Sequence, residues 1–202
     1  MVAHPIWSFL DRPVSLVSTS PRRSEILKGI GVPFEAIPPA MKEEDCGRGC
    51  SPESVVLRLA EEQVRSVATD RGERILLGAD TIVVAGESTI LGKPRDAGDA
   101  ASMLEGLSGK AHRVLTGIFL LHEALGREAA GVEETTVLFR PLSRKEIDRY
   151  VATGEPLDKA GSYGIQGLGG LFVNRIEGCY FNVVGLPVAR LGTLLGELCD
   201  VE

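Results

Sequence analysis

The chain has 202 residues, with 22 Lys+Arg against 28 Asp+Glu and a formal net charge of −6. At 44% apolar and 25% charged it has the make-up of a globular domain with a real core, which excludes disorder, and its 24 glycines have no Gly-X-Y period, which excludes collagen. The acidic balance argues against nucleic-acid binding, no long apolar run predicts a membrane span, and the start lacks the basic and apolar regions of a signal peptide.

Residues 1–12 read as a ragged N-terminal extension and 13–202 as one domain. Val14–Val17 is a buried strand ending in Ser18-Thr19-Ser20-Pro21. Ser20 is an N-cap and Pro21 a first helical residue, so a helix runs to about Lys28 and ends at Gly29 or Gly31. Val32–Ile37 is a second strand, and Pro38–Cys50 a polar loop with Glu43, Glu44 and Asp45. Ser51-Pro52-Glu53 opens a helix whose Val56, Leu57, Ala60, Val64 and Val67 recur at helical spacing. Arg74–Leu77 and Thr81–Val84 read as two strands separated by Gly78-Ala79-Asp80. Gly86–Thr89 is a turn, and Ile90-Leu91 returns from it. Asp96 caps a helix to about Leu107, broken by Ser108-Gly109. Arg113–Leu121 and Glu133–Phe139 are strands of an antiparallel pair. Ser143–Glu146 is a capping box for a helix to about Thr153. Gly154–Gly170 is loop-rich, Val183-Val184 is a short apolar piece, and Pro187–Leu198 is the last helix. Helices and strands that alternate first and then give way to an antiparallel pair define a mixed-sheet α/β or α+β fold.

Four segments carry candidate chemistry. In Ser18-Thr19-Ser20-Pro21-Arg22-Arg23 a strand enters a helix N-terminus, which attracts anions, while two arginines oppose the helix dipole. A phosphate-rich ligand explains them; solvated arginines on a capped helix are the other reading. In Gly78-Ala79-Asp80-Thr81 a carboxylate opens an apolar run, either as a metal ligand or general base or as a turn cap. Leu91-Gly92-Lys93-Pro94 fails the P-loop spacing but can hold a lysine toward phosphate. Leu157–Gly170 lets backbone approach a ligand, with Lys159 for charge and Gln166 to meet a nucleobase edge; a surface loop is the alternative. His4, His112 and His122 show no metal-ligand or triad spacing, and His112 reads as a structural partner. Cys46 and Cys50 admit a loop disulfide or a metal grip, but the default is a reduced cytoplasmic protein.

Together these segments resemble the Maf family of nucleoside triphosphate pyrophosphatases. The likeness runs from about residue 14 to 195 in STSPRR (Ser18–Arg23), LGADTIV (Leu77–Val83), LGKP (Leu91–Pro94), LSGKAH (Leu107–His112), LDKAGSYGIQG (Leu157–Gly167) and NVVGLP (Asn182–Pro187). It implies a mixed twisted sheet with flanking helices, two lobes around a cleft, similar to inosine triphosphate pyrophosphatases. It also implies cleavage between the α and β phosphates, a divalent cation (Mg²⁺ or Mn²⁺), a cytoplasmic location and often a homodimer. By motif, Asp80 aligns with the family's catalytic acid, and Arg22, Thr81 and Gln166 with its specificity positions.

YGIQG resembles the branch acting on dTTP and UTP, modified pyrimidine triphosphates included; the 7-methyl-GTP branch tends to carry Glu in place of Gln166. The expected mechanism has Arg22, Arg23, Lys93, Lys159 and the Ser18–Ser20 turn neutralising the triphosphate. Glu44 and Asp80 hold the metal, and Asp80 takes the proton of the attacking water; base and ligand are both open roles for it. A 7-methyl-GTP or inosine-type pyrophosphatase and a non-catalytic nucleotide-binding regulator of cell division are the alternatives. Two departures stand out. Gln63 occupies a position where the family usually has Lys, and Lys42-Glu43-Glu44-Asp45 stands where Asp-Glu is common.

Overall fold

The computed structural model describes residues 5–40, 50–69 and 72–199. In chain order the described elements are β1 (Val14–Val17), α1 (Pro21–Gly29), β2 (Phe34–Ile37), α2 (Pro52–Arg65), β3 (Ile75–Ala85), β4 (Thr89–Leu91) and α3 (Ala97–Leu107). Then come β5 (Ala111–His122), β6 (Arg127–Phe139), α4 (Arg144–Val151), three short 3₁₀ turns between Glu155 and Phe172, β7 (Val173–Glu177), α5 (Tyr180–Val184) and α6 (Val188–Leu198). The strands form one mixed sheet in the order β2-β1-β3-β5-β6-β7, with β4 also on β3. β1 pairs parallel to both β2 and β3, whereas β4 pairs antiparallel to β3 and β7 to β6. The expected mixed α/β class is therefore observed.

The chain divides into two compact units. The first holds residues 1–80, 116–133 and 185–202. Its core includes Val17, Ala60, Val64, Leu76 and Phe119. Helix α2 lies unusually close to two strands. A Cβ on Gly78 would fall 2.2 Å from the Ala60 carbonyl oxygen, and one on Gly117 would fall 2.5 Å from the Val56 carbonyl. Only glycine permits that approach. The buried Glu123 carboxylate accepts from the Arg74 side chain and backbone and from the Thr69 amide. Burial disfavours its charge, but these bonds prevail and hold its carboxyl below the usual range.

The second unit holds residues 81–115 and 134–184. Its core is aromatic. Phe139 meets His112, Tyr163 and Phe172 edge-on at centroid distances of 4.9, 4.8 and 6.0 Å. The His112 imidazole, 2% exposed, shares a 2.9 Å hydrogen bond with the Tyr163 hydroxyl, which makes it the structural partner expected. Burial pushes its pKa down to about 4 and pushes the Tyr163 phenol up.

Local signals place most helix starts. Asp96 accepts from Asp99 N at the start of α3, and both bonds of the Ser143–Glu146 capping box form at α4. Two expectations are corrected, and two elements go beyond what the sequence signalled. Ile75–Ala85 is one strand, because Gly78 serves close packing against α2 rather than breaking the chain. Val183 and Val184 end a short helix, and Val173–Glu177 is an edge strand that the sequence did not signal. The N-terminal extension is not ragged where it is described: Trp7 is buried and donates to the Ile30 carbonyl at 2.8 Å.

Candidate active site

In the first unit the strand order β2-β1-β3 creates a reversal point. From β1 the chain passes through α1 to β2 on one side, then through α2 to β3 on the other. Ligands in open α/β sheets bind beyond the carboxyl ends of strands at such a point. The residues there are those singled out by sequence. The β1–β3 ladder ends at Leu16↔Leu77. Past it, β1 turns through Ser18–Ser20 into α1, and β3 carries the half-buried Asp80.

The turn is held by side chains. The buried Ser18 Oγ accepts from the Ser20 amide at 3.1 Å and from Arg23 at 3.2 Å. The Arg23 Nε also donates to the Gly185 carbonyl at 3.0 Å, so Arg23 braces the turn. Ser20 occupies the N-cap of α1 but makes no side-chain cap bond there; its own amide donates to the Ser18 hydroxyl. Arg22 is half-buried in the first turn of α1. Helix N-terminus, arginine and carboxylate together are an arrangement for an anion and a proton acceptor.

In the second unit the structure joins two of the sequence motifs. The Gly161 amide donates to the Gly92 carbonyl at 3.1 Å, which ties the Lys93 turn to the Lys159–Gly167 loop. Lys93 is exposed, and Thr81 is half-buried on β3. The Lys159 ammonium donates to the Glu155 carbonyl and to Asp158, each at 2.6 Å. Gln166 is exposed, in a turn closed by the Gly167 amide on the Gly164 carbonyl at 3.2 Å.

Glu155, unremarked in the sequence, organises this loop. Its carboxylate accepts from the Tyr150 hydroxyl and from the Leu168 and Gly169 amides at 2.9–3.1 Å. Burial opposes its charge, but these donors prevail and keep its pKa below the usual value. NVVGLP is likewise structural in part: Asn182, fully buried, donates to the Val114 carbonyl and Thr135 Oγ1. Glu44 lies outside the described residues, with Glu43 and Cys46. Among the described residues no three His, Cys, Asp or Glu gather in a metal-binding group. Nor is any described helix long and apolar enough to cross a membrane.

Comparison with known proteins gives the family. The family model of Maf-like proteins matches residues 13–198, so the chain belongs to that family. Its relatives are specific. A dTTP/UTP pyrophosphatase of Carboxydothermus hydrogenoformans is 51% identical over 184 residues, 91% of this chain and 97% of its own. Proteins of the same name from Alkaliphilus oremlandii and Bacillus cytotoxicus are 47% and 51% identical, over 93% and 87% of this chain and 96% and 90% of theirs. Among solved structures, a HAM1 protein from Coxiella burnetii aligns at a TM-score of 0.48 and 14% identity, over 92% of this chain and 98% of its own.

Proposed function

We propose that this chain hydrolyses dTTP and UTP to the monophosphate and pyrophosphate. The observation that carries the reading is that the β1–β3 ladder ends at Leu16↔Leu77, and just past it β1 leads into an arginine-bearing helix N-terminus while β3 carries Asp80. It is supported by relatives of that name, about half identical to this chain over most of its length.

In this reading Asp80 accepts the proton of a water whose oxygen bonds to the α-phosphorus, and the bond from that phosphorus to the pyrophosphate oxygen breaks. Arg22, with the α1 N-terminus, Ser18 and Ser20, takes phosphate charge, and Arg23 holds that turn in shape. Lys93 and Lys159 add positive charge. Gln166 offers an amide acceptor and donor to the imide edge of thymine or uracil, a pattern that Glu lacks. Thr81 flanks Asp80 as a further substrate contact. Asp80 with Glu44 is a hard oxygen donor set suited to Mg²⁺ or Mn²⁺, which when bound would neutralise phosphate charge. The cytoplasm, where nucleoside triphosphates are abundant, is the compartment that fits.

The test is release of pyrophosphate from a panel of canonical and 7-methylated nucleoside triphosphates with Mg²⁺ or Mn²⁺, with products resolved by phosphorus NMR. Monophosphate and pyrophosphate from dTTP and UTP are expected. Preference for a purine substrate, or release of orthophosphate, overturns the assignment.

A further inference from the structure

Gln63 is 4% exposed, on the face of α2 that also buries Ala60 and Val64. An amide among apolar groups is costly unless its hydrogen bonds are made. With the nitrogen oriented by its partners, the Gln63 amide donates to the Ala79 carbonyl at 3.0 Å and to the Val17 carbonyl at 3.3 Å. Both carbonyls lie just past Leu16↔Leu77, where the β1–β3 ladder stops. Val17 immediately precedes Ser18, and Ala79 immediately precedes Asp80. One side chain thus replaces the missing rungs, with one N–H for each strand. The close approach of α2 at Gly78 brings the amide within reach.

We propose that Gln63 is a positioning residue that sets the spacing between the Ser18 turn and Asp80. The proposal rests on the reading of Asp80 as proton acceptor. In this role Gln63 acts through the two backbones whose carbonyls it binds. Lys also carries enough donors for both carbonyls, whereas Met matches the length of Gln and has none.

Gln63→Met, Gln63→Lys and the unaltered protein are compared by dTTP turnover, thermal melting and hydrogen exchange followed by mass spectrometry. Gln63→Met is expected to lower kcat about tenfold or more, with KM within about twofold, in keeping with the cost of small misplacements of reacting groups. Exchange should quicken in segments containing 17–20 and 78–81 but not in α4. Gln63→Lys should restore kcat to within about threefold. Gln63→Asn, too short to span both carbonyls, replaces the Met variant if that fails to fold. Unchanged exchange in those segments, or a Met variant that matches the unaltered protein in kcat, overturns the proposal. If the unaltered protein releases no pyrophosphate, the functional reading falls, and the exchange comparison alone decides whether Gln63 bridges the strands.

Discussion

The Tyr150 hydroxyl donates to Glu155 at 2.9 Å while accepting from the Gly164 amide at 3.3 Å. A single phenol therefore links α4 to the start and the middle of the Gly-rich loop. Tyr150→Phe should cost about 1 kcal/mol, and Glu155→Leu about 2–3 kcal/mol, since it leaves the Leu168 and Gly169 amides without their acceptor. Denaturant melts measure both. Equal losses in the two variants would refute the view that Glu155 is the hub.

Acid should loosen the second unit through His112. Its folded pKa, about 4, lies below the ordinary 6.5 because of burial. Between those values the unfolded chain binds a proton that the folded chain does not. Stability is therefore intact above 6.5 and falls as the pH drops toward 4, by up to about 3 kcal/mol. His112→Gln should flatten this part of the stability–pH curve. The same slope in both proteins would assign it to other groups.

Asp80→Asn should reduce kcat at least about 10²-fold, as expected for loss of a general base, with a melting temperature close to that of the unaltered protein. Turnover near the original rate would remove Asp80 from the chemistry.

Gln166→Glu should depress dTTP and UTP hydrolysis relative to purine triphosphates, because a carboxylate has no donor for the imide oxygens. Competition assays with paired nucleotides read this directly; an unchanged ratio would mean that Gln166 does not contact the base.

Gly78→Ala should destabilise by at least about 2 kcal/mol, since the new methyl would overlap the Ala60 carbonyl oxygen. Gly106→Ala, where a Cβ meets nothing within 4 Å, is the control and should stabilise α3 by about 0.5–1 kcal/mol. Calorimetry on both separates packing from helix propensity.

These contrasts show what a one-dimensional reading captures. The starts of α1, α2, α3 and α4 were legible because capping is settled within four residues. The Ser18–Arg23 turn and Asp80 were legible as types, since arginines at a helix start and a carboxylate opening an apolar run are locally unusual. Strand β7 was not, because VNRIE is a half-exposed edge without alternation. The first residues of β6, polar or small, gave no strand signal either. Gly78 misled, because its partner lies on a helix eighteen residues earlier. The structural roles of Gln63 and Glu155 stayed hidden for the same reason: most of their partners are backbone groups far off in sequence. Many loop glycines also have another use than expected. A Cβ on Gly167 would strike Glu155, and one on Gly169 would strike Tyr150, so these positions seat the loop on its own supports.

The division of the chain also constrains protein engineering. The boundaries fall after residues 80, 115, 133 and 184, and the first three lie inside β3, β5 and β6. Neither unit is a continuous stretch of polypeptide, so neither can be expressed by simple truncation. Grafting the second unit from a relative with a different nucleotide preference would need four splices. The safest recombination points between homologues are therefore within matched strands, where the ladder register dictates the join, rather than in the loops where chimeras are usually cut.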